Sequence, residues 1–296
     1  MFFCKNCKTH SAVKTGLRKN KVGFTQRYVC TKCNKYSVNR KGFENYRHSP
    51  EVITAALDLR AKGLSLSDVV DHLDQHHRVK VTRKTILFWQ RKFGQKLKSF
   101  SQTLTPHLGG TFHADEMFVK QRKDWIYYWD CLDYETKFLV ADHISDDRND
   151  KEAVEFLNKI KLGSLELPQR ISTDCSYDYP PAFRKVFPRK RRIHYAYPGW
   201  KKKFKNNPIE RLHNTLKQRY KVFRGFDNIL SAEKFFDFYR VYYNFIRKHM
   251  SLGMKTPAQA ARIELNLGRN RLRSMIELLF TFFKTRIWLK PNVYCS

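Results

Sequence analysis

Apolar and polar residues alternate with a period of two in three consecutive stretches of the chain, residues 111–120, 125–132 and 137–144. Such alternation is typical of half-buried β-strands, and turns are predicted at Lys123-Asp124 and Glu135-Thr136. A helix, two short strands and two longer helices are predicted next, at 150–161, 170–173, 193–197, 207 to about 221 and 231 to about 248. This order favours a mixed α/β domain over residues 111–257.

A helical period replaces this alternation between residues 50 and 100, where three helices are predicted. Their N-caps are Ser49, Ser65 and Thr82, and Pro50 suits the first turn of the first helix. The third helix carries basic residues on its outer face, namely Arg83, Lys84, Arg91 and Lys92. The pattern fits a helix-turn-helix DNA-binding domain over residues 46–100, although a helical bundle without DNA contact has the same pattern.

Four of the seven cysteines form two C-x-x-C pairs, Cys4 with Cys7 and Cys30 with Cys33, which 22 residues separate. Four thiolates at such a spacing suit one tetrahedral Zn²⁺, which stabilises a segment that is too short for a core of its own. We therefore expect a zinc ribbon over residues 1–42, with a β-hairpin within 15–25. A redox-active pair is the alternative interpretation.

The composition indicates a globular protein that binds a polyanion. The chain of 296 residues has a net charge of +31 and is 42% hydrophobic. Residues 1–110 contain 22 Lys and Arg against 6 Asp and Glu, and residues 111–296 contain 36 against 21. The N-terminal third is thus the more basic part, and we expect it to contact DNA. A basic surface without a ligand, or binding to a membrane surface, is the weaker alternative because no long basic amphipathic helix is seen.

The remaining segments complete the predicted organisation. Residues 101–110 are polar and end in Gly-Gly, which is typical of a linker, and residues 258–296 are predicted as a helical tail without an assigned function. No signal peptide and no apolar run of membrane-spanning length is visible, so a cytoplasmic, nucleoid-associated protein is expected.

Three acidic residues stand at the ends of separate predicted elements, which makes them candidates for catalysis. Asp115 lies in the first strand, Asp174 directly follows a short strand, and Glu210 begins a helix. Neighbouring carboxylates repel each other, and two divalent ions roughly 3.5–4 Å apart are a common reason for such a cluster in phosphoryl-transfer enzymes. Alternation places Asp115 and Glu116 on opposite faces of the strand, so at most one is expected to join the cluster. For Asp115 alone the alternative is a solvent-facing residue of the strand, and for Asp174 alone it is a turn residue after a strand.

The helix that carries Glu210 is predicted to start at Asn207, with Pro208 in its first turn. Its apolar face is formed by Ile209, Leu212, Leu216 and Tyr220, and its other side by Glu210, His213, Asn214, Lys217 and Lys221. One interpretation is a metal ligand, Glu210, followed two turns later by a phosphate contact, Lys217. The alternative is a capping-box glutamate and an ordinary surface lysine.

Together these motifs resemble the DDE transposases of the insertion-sequence-six family. The residues that carry the resemblance are His113-Ala114-Asp115-Glu116, Ser172-Thr173-Asp174, the run from Asn206 to His213, with 35 residues between Asp174 and Glu210, and Lys217. The run from Tyr243 to His249, with Lys255-Thr256-Pro257-Ala258, is similar to the end of integrase-like catalytic domains. The resemblance covers residues 50–260.

The resemblance implies an RNase H-like fold for residues 111–257, two Mg²⁺ or Mn²⁺ ions held by Asp115, Asp174 and Glu210, and contact of Lys217 with a DNA end. It also implies a transposase that binds the terminal inverted repeats of a mobile element, cleaves their 3′ ends and joins them to double-stranded target DNA. A homodimer is expected. A zinc ribbon ahead of the helix-turn-helix is not universal in such enzymes.

A basic segment lies between Asp174 and Glu210 and is expected to contact DNA. Lys201, Lys202 and Lys203 suit phosphate contacts, and Trp200 suits stacking on a base; a solvated loop is the alternative. Two other functions stay open at this point. One is a non-catalytic, sequence-specific DNA-binding protein, and the other is an RNase H-like nuclease that cuts without joining.

Overall fold

The structure is a computed structural model, which describes residues 4, 6–20, 23–38, 42–43, 46–188, 192–197 and 207–286. The predicted DNA contacts Trp200, Lys201, Lys202 and Lys203 lie outside these residues. Within the described ranges, no helix is long and apolar enough to cross a membrane.

A three-stranded antiparallel sheet precedes the helices, in the order β1 (Ala12–Asn20), β2 (Gly23–Cys30) and β3 (Tyr36–Val38). The predicted hairpin is present and is longer at both ends than expected. Ala12 pairs with Cys30 across β1 and β2, which places the second cysteine pair beside the segment that carries the first. β3 was not predicted because three residues are too few to show a period.

Three helices follow, α1 (Pro50–Ala61), α2 (Leu66–His77) and α3 (Arg83–Ser101). The predicted caps are confirmed: Ser49 and Thr82 accept hydrogen bonds from backbone N–H groups of their first turns, and Ser65 forms a capping box with Asp68. α3 buries Trp89, Phe93 and Leu97 and exposes Arg83 and Lys84. The apolar period therefore predicted both the elements and the inward face of α3.

The C-terminal helices belong to the packing of the rest of the chain. A short α8 (Pro257–Ala260) is separated from α9 (Arg271–Arg286), which buries Met275 and Ile276. The rings of Phe100 and Phe282 lie 5.3 Å apart, which joins α3 to α9. The tail predicted over residues 258–296 is thus, in its described part, a component of the core around α1 and α3.

The central sheet has five strands: β4 (Thr111–Gln121), β5 (Asp124–Asp133), β6 (Leu139–Ser145), β7 (Arg170–Thr173) and β8 (His194–Ala196). Their order in the sheet is β6-β5-β4-β7-β8. β4, β5 and β6 form an antiparallel meander, and β7 and β8 run parallel to β4. This is the mixed α/β sheet that the alternating pattern predicted.

Four helices cover the two faces of the sheet: α4 (Asp150–Gly163), α5 (Tyr179–Val186), α6 (Asn207–Tyr220) and α7 (Ile229–Val241). Trp129 of β5 packs against the rings of Phe156 and Tyr179, from α4 and α5. Its neighbour Tyr128 stacks on Phe236 of α7, on the opposite face. α5 was not predicted, and α7 ends earlier than predicted because Tyr242–Ile246 continues as a π-helical turn.

The predicted linker is an ordered part of the interface between the N-terminal helices and the sheet. The His107 N–H donates to the Ala261 carbonyl (2.9 Å), and the Gly109 N–H donates to the Asp133 carboxylate (3.1 Å). α3 packs on α7, where Lys98 forms an ion pair with Asp237 at 2.5 Å. Hydrogen bonds from backbone N–H groups therefore hold residues 101–110, the predicted linker, in place.

Candidate active site

Asp115 and Asp174 converge at an edge of the central sheet. β7 pairs with β4 only as far as Ser172 with His113, so β7 ends as β4 continues. Asp174 follows the last residue of β7, and Asp115 lies two residues beyond the last paired position of β4. Carboxylate oxygens of Asp115, Asp174 and Glu116 all lie within 4.8 Å of one another. We call these three residues the acidic group.

The presence of Glu116 in the acidic group corrects the expectation that only one of the two neighbours would join it. The two side chains do leave β4 on opposite faces: His213 of α6 lies 3.9 Å from Asp115, and the Tyr179 hydroxyl of α5 donates to Glu116 at 2.7 Å. Both carboxylates nevertheless approach Asp174, because β7 has ended at this level and leaves the edge of β4 open. Alternation alone does not contain this information.

Arg148 bridges the acidic group, and the sequence analysis missed it. Its Nη2 atom lies 2.5 Å from Glu116 and 3.4 Å from Asp174, and its Nε atom lies 3.5 Å from Asp178. The residue sits between β6 and α4, where no period marks it. Arg148 therefore ties the segment after β7 to strand β4 and offsets part of the repulsion among the acids.

Burial makes two members of the acidic group, Asp115 and Glu116, costly to ionise. It raises the pKa of Asp115 to about 6, against the opposing effect of His213. Burial also raises the pKa of Glu116 to about 7, although the Tyr179 hydrogen bond and the Arg148 charge oppose this. Perturbed carboxylates beside one another are frequent at functional sites, and a divalent cation would supply the missing compensation.

Asp130 and His213 form a buried pair behind Asp115. Asp130 lies directly opposite Asp115 on β5, is fully buried, and is 3.0 Å from His213 Nε2. Burial lowers the pKa of His213, but the carboxylates of Asp130 and Asp115 together outweigh this effect and raise the pKa above its usual value. His213 was predicted on the polar side of its helix, and the structure buries it because α6 lies with that edge over β4 and β5.

Glu210 does not belong to the acidic group. It is exposed in the first turn of α6, three residues before His213, and its carboxylate is not among the oxygens that lie within 4.8 Å of one another. A third carboxylate is repelled by two others unless a cation lies between them. Among the described residues, Glu210 forms no hydrogen bond that would support the capping-box alternative. Lys217 is exposed one turn beyond His213 and is near enough to affect its pKa.

The four N-terminal cysteines also come together. The Sγ atoms of Cys4 and Cys33 lie 3.5 Å apart and those of Cys7 and Cys30 lie 3.4 Å apart, and all four lie within 4.8 Å of one another. A Zn–S bond of about 2.3 Å in a tetrahedral site places sulfurs about 3.8 Å apart, so the arrangement suits Zn²⁺. The Ser11 hydroxyl, 3.1 Å from Cys30, lowers the pKa of that thiol to about 5, and a thiolate is the form that binds metal.

The predicted DNA-contacting residues of α3 differ in exposure. Arg83 and Lys84 in its first turn are exposed, as a recognition helix requires. Arg91 is half-buried and lines a groove of about 310 Å³ together with Phe223 and Phe226 from the segment between α6 and α7.

Residues 109–249 match a family model described as a DDE domain, that of IS240-type transposases. The matched segment contains the acidic group, Glu210 and Lys217. The predicted relationship to the DDE transposases is thereby confirmed for these residues as a match to a DDE domain.

Single proteins are also similar to the chain, with sequence identities of 26% or less. An uncharacterized protein of Methanocaldococcus jannaschii, MJ0017, is 26% identical over 217 residues, which cover 71% of this chain and 93% of the relative. One chain in the structure of the simian T-cell lymphotropic virus intasome in complex with PP2A regulatory subunit B56 gamma is 17% identical to this chain. The match has a TM-score of 0.42 and covers 53% of this chain and 55% of the other. This chain therefore spans about half the length of that chain. The HTLV-2 integrase catalytic core domain in complex with magnesium is 16% identical with a TM-score of 0.40, over 53% of this chain and 98% of the core domain.

Proposed function

We propose that the chain is a DNA transposase that binds the ends of a mobile element, cleaves their 3′ ends and joins them to target DNA. The observation that carries the proposal is the convergence of the Asp115 and Asp174 carboxylates at the open edge of β4, inside a segment that matches a DDE domain. The net charge of +31 supports double-stranded DNA as the partner. A homodimer is part of the proposal.

The acidic group fits Mg²⁺ or Mn²⁺ by its donor chemistry, because carboxylate oxygens are the ligands that these hard cations prefer. Asp115, Asp174 and Glu210 would hold two such ions, with Glu210 approaching from the first turn of α6. Bound there, the ions supply activation of the attacking oxygen and stabilisation of the leaving oxygen.

The chain's own residues would organise the site. Arg148 holds Glu116 and the segment after Asp174 together, so we assign Glu116 to positioning and not to the ligand set. His213 keeps Asp130 paired and thereby leaves Asp115 free for a cation. Lys217, on the exposed side of α6, would contact a phosphate near the DNA end.

The N-terminal part would bind the DNA ends. A zinc ribbon over residues 1–42 would hold one Zn²⁺ through Cys4, Cys7, Cys30 and Cys33. A helix-turn-helix over residues 46–100 would read DNA with the first turns of α3, through Arg83 and Lys84, with Arg91 behind them. The catalytic domain would then comprise residues 111–257.

The proposal is tested by Asp115→Asn on a labelled duplex that contains an end of the element encoding the chain. In Mg²⁺ the wild type should produce cleaved and joined strands on a denaturing gel. The variant should produce neither, because the ligand set is incomplete, and should still bind the end in a mobility-shift assay. Asp124→Asn, an exposed acid at the start of β5, is the matched control and should act as the wild type does.

The gel also separates the competing functions. A variant that joins ends at the wild-type rate would overturn the catalytic assignment. A wild type that nicks DNA and never joins it would indicate a nuclease, and one that binds without breaking strands would indicate a non-catalytic DNA-binding protein.

A further inference from the structure

The run from Tyr243 to His249 has no role in the acidic group, yet part of it lines a groove beside α6. The groove encloses about 700 Å³. Its walls come from the turn between β5 and β6, the first half of α6, and the segment after α7. We call it the α6 groove.

The charged side chains that line the α6 groove are all cationic. They are Lys137, Arg211, Arg247 and Lys248, and no carboxylate residue lines it. In the described part of the chain, none of the four forms an ion pair with an acidic side chain. Four cations without acidic partners attract an anion, and a polyanion is long enough to contact all four.

Asp133, at the edge of the groove, is already occupied by hydrogen bonds from uncharged groups. Its oxygens accept hydrogen bonds from the Thr136 N–H and hydroxyl (2.9 and 2.6 Å) and from the Gly109 N–H (3.1 Å). Burial lowers the pKa of Lys137, the charge of Asp133 opposes this, and the charge of Arg211 lowers the pKa further. Lys137 and Arg211 both line the groove, so an anion bound there would contact two like charges.

Two of the four cations are held in place and two are free to adapt. Arg247 donates to the Tyr239 hydroxyl (3.4 Å), and Lys137 lies 4.3 Å from the centre of the Tyr134 ring and donates to the Tyr134 carbonyl. The side chains of Arg211 and Lys248 are exposed and have no hydrogen-bond or ion-pair partner among the described residues. Anchored cations beside exposed ones suit a polymer with repeated phosphates, since an exposed side chain can rotate to reach a phosphate of the backbone.

We infer that the α6 groove binds the phosphodiester backbone of duplex DNA next to the acidic group. Asn207 and Pro208, at the start of α6, line the groove, and Glu210 and Arg211 follow in the same turn. DNA held in the groove would thus pass beside the acidic group, whose negative charge alone would repel it. The inference rests on the proposed function, because it takes duplex DNA to be the substrate.

The test combines Lys137→Asn, Arg211→Ala and Lys248→Ala. Asparagine is chosen at 137 because Lys137 has a φ of 56°, which asparagine tolerates better than alanine. Arg247 is left unchanged because it packs on Tyr239. The matched control, Lys123→Ala, Lys161→Ala and Arg184→Ala, removes the same three charges from exposed positions outside the groove.

Binding of a short fluorescein-labelled duplex of arbitrary sequence is followed by anisotropy over a series of KCl concentrations without Mg²⁺. The groove variant should bind roughly tenfold more weakly at low salt, and the slope of log affinity against log salt should fall by about 2–3, since each lost phosphate contact removes about 0.9. The control variant should retain most of the affinity and the slope. Melting temperatures of both variants identify any loss of folding, and Arg211→Glu alone, at an exposed position, should weaken binding in the same direction.

Equal losses in the groove and control variants would overturn the inference, because the long-range field of the whole protein would then explain binding. Wild-type affinity in the groove variant would overturn it as well. The proposed function fails separately: a chain that binds duplex through the groove but never breaks it would support the groove and overturn the transposase.

Discussion

A fully buried acid, Asp130, and a partly buried one, Asp115, face each other across β4 and β5, and their environments give them different roles. Asp130 is fully buried and is 3.0 Å from His213, which provides a permanent partner. Asp115 is 3.9 Å from the same ring, too far for a hydrogen bond, and its side chain keeps 21% of its surface exposed. The first acid therefore supports the fold, and the second is available to a cation from solvent.

The raised pKa of Asp115 makes stability depend on pH. The charged form is disfavoured in the folded state, so this group contributes nothing below its ordinary value of 3.8 and destabilises the fold increasingly as pH rises through about 6. We expect Asp115→Asn to match the wild type near pH 4 and to be more stable by about 2–3 kcal/mol at pH 8. Urea unfolding across this pH range, without added Mg²⁺, measures the difference.

Addition of Mg²⁺ provides a second measurement on the same variant. Because a bound cation stabilises the folded state, Mg²⁺ should raise the melting temperature of the wild type and not that of Asp115→Asn. Asp124→Asn is the matched control for both measurements. A stability difference that does not change with pH would contradict the assignment of the raised pKa to Asp115.

At the scale of elements, the placement of α3 on α7 decides how the N-terminal helices meet the sheet. A Cβ atom at Gly94 would lie 3.0 Å from the Phe238 Cβ atom, closer than almost all real contacts of this kind. The two helices therefore approach each other at a position where glycine is required for packing and not for its backbone conformation.

Gly94→Val should push these helices apart and lower the free energy of unfolding by about 1–3 kcal/mol, as overpacking does in other cores. Urea unfolding followed by circular dichroism measures the change. Gln95→Val, at the next and exposed position of α3, controls for the helix propensity of valine. Equal effects at both positions would show that propensity, and not the α3–α7 contact, is responsible.

At the scale of the whole molecule, the N-terminal sheet depends on something other than the main core. The described hydrophobic core begins at Phe43 and contains no residue of β1, β2 or β3. A three-stranded sheet of this size needs a further constraint, which the cysteine cluster supplies if it binds Zn²⁺.

We expect about one Zn²⁺ per chain by elemental analysis. Removal of the metal by a chelator should expose residues 12–38 to hydrogen exchange while the central sheet stays protected, because the two parts have separate sources of stability. Cys30→Ser should lower the zinc content, and Cys175→Ser, at an exposed cysteine outside the cluster, should leave it unchanged. Zinc-free protein with unchanged protection of residues 12–38 would contradict the zinc ribbon.

The elements that sequence reasoning found are those with a sufficient local signal. The strand at 170–173 and the start of the helix at 207 agree with the structure, because apolar patterns, caps and prolines are read within a few residues. α5 was missed because its eight residues include two prolines in its first turn, which usually indicate a loop. The early end of α7 was missed because a π-helical turn keeps the aromatic spacing of a helix.

The amino-acid sequence by itself determined most of the strands and helices, the caps, the paired cysteines and the candidate acids, because each follows from the chemistry of neighbouring residues. Tertiary packing alone brought Asp115 and Asp174 together, added Glu116 and Arg148, buried His213 and created the α6 groove. These features depend on where β7 ends beside β4 and on which edge of α6 lies over the sheet. Strand register and helix placement join residues that are far apart in the chain, so no local pattern specifies them.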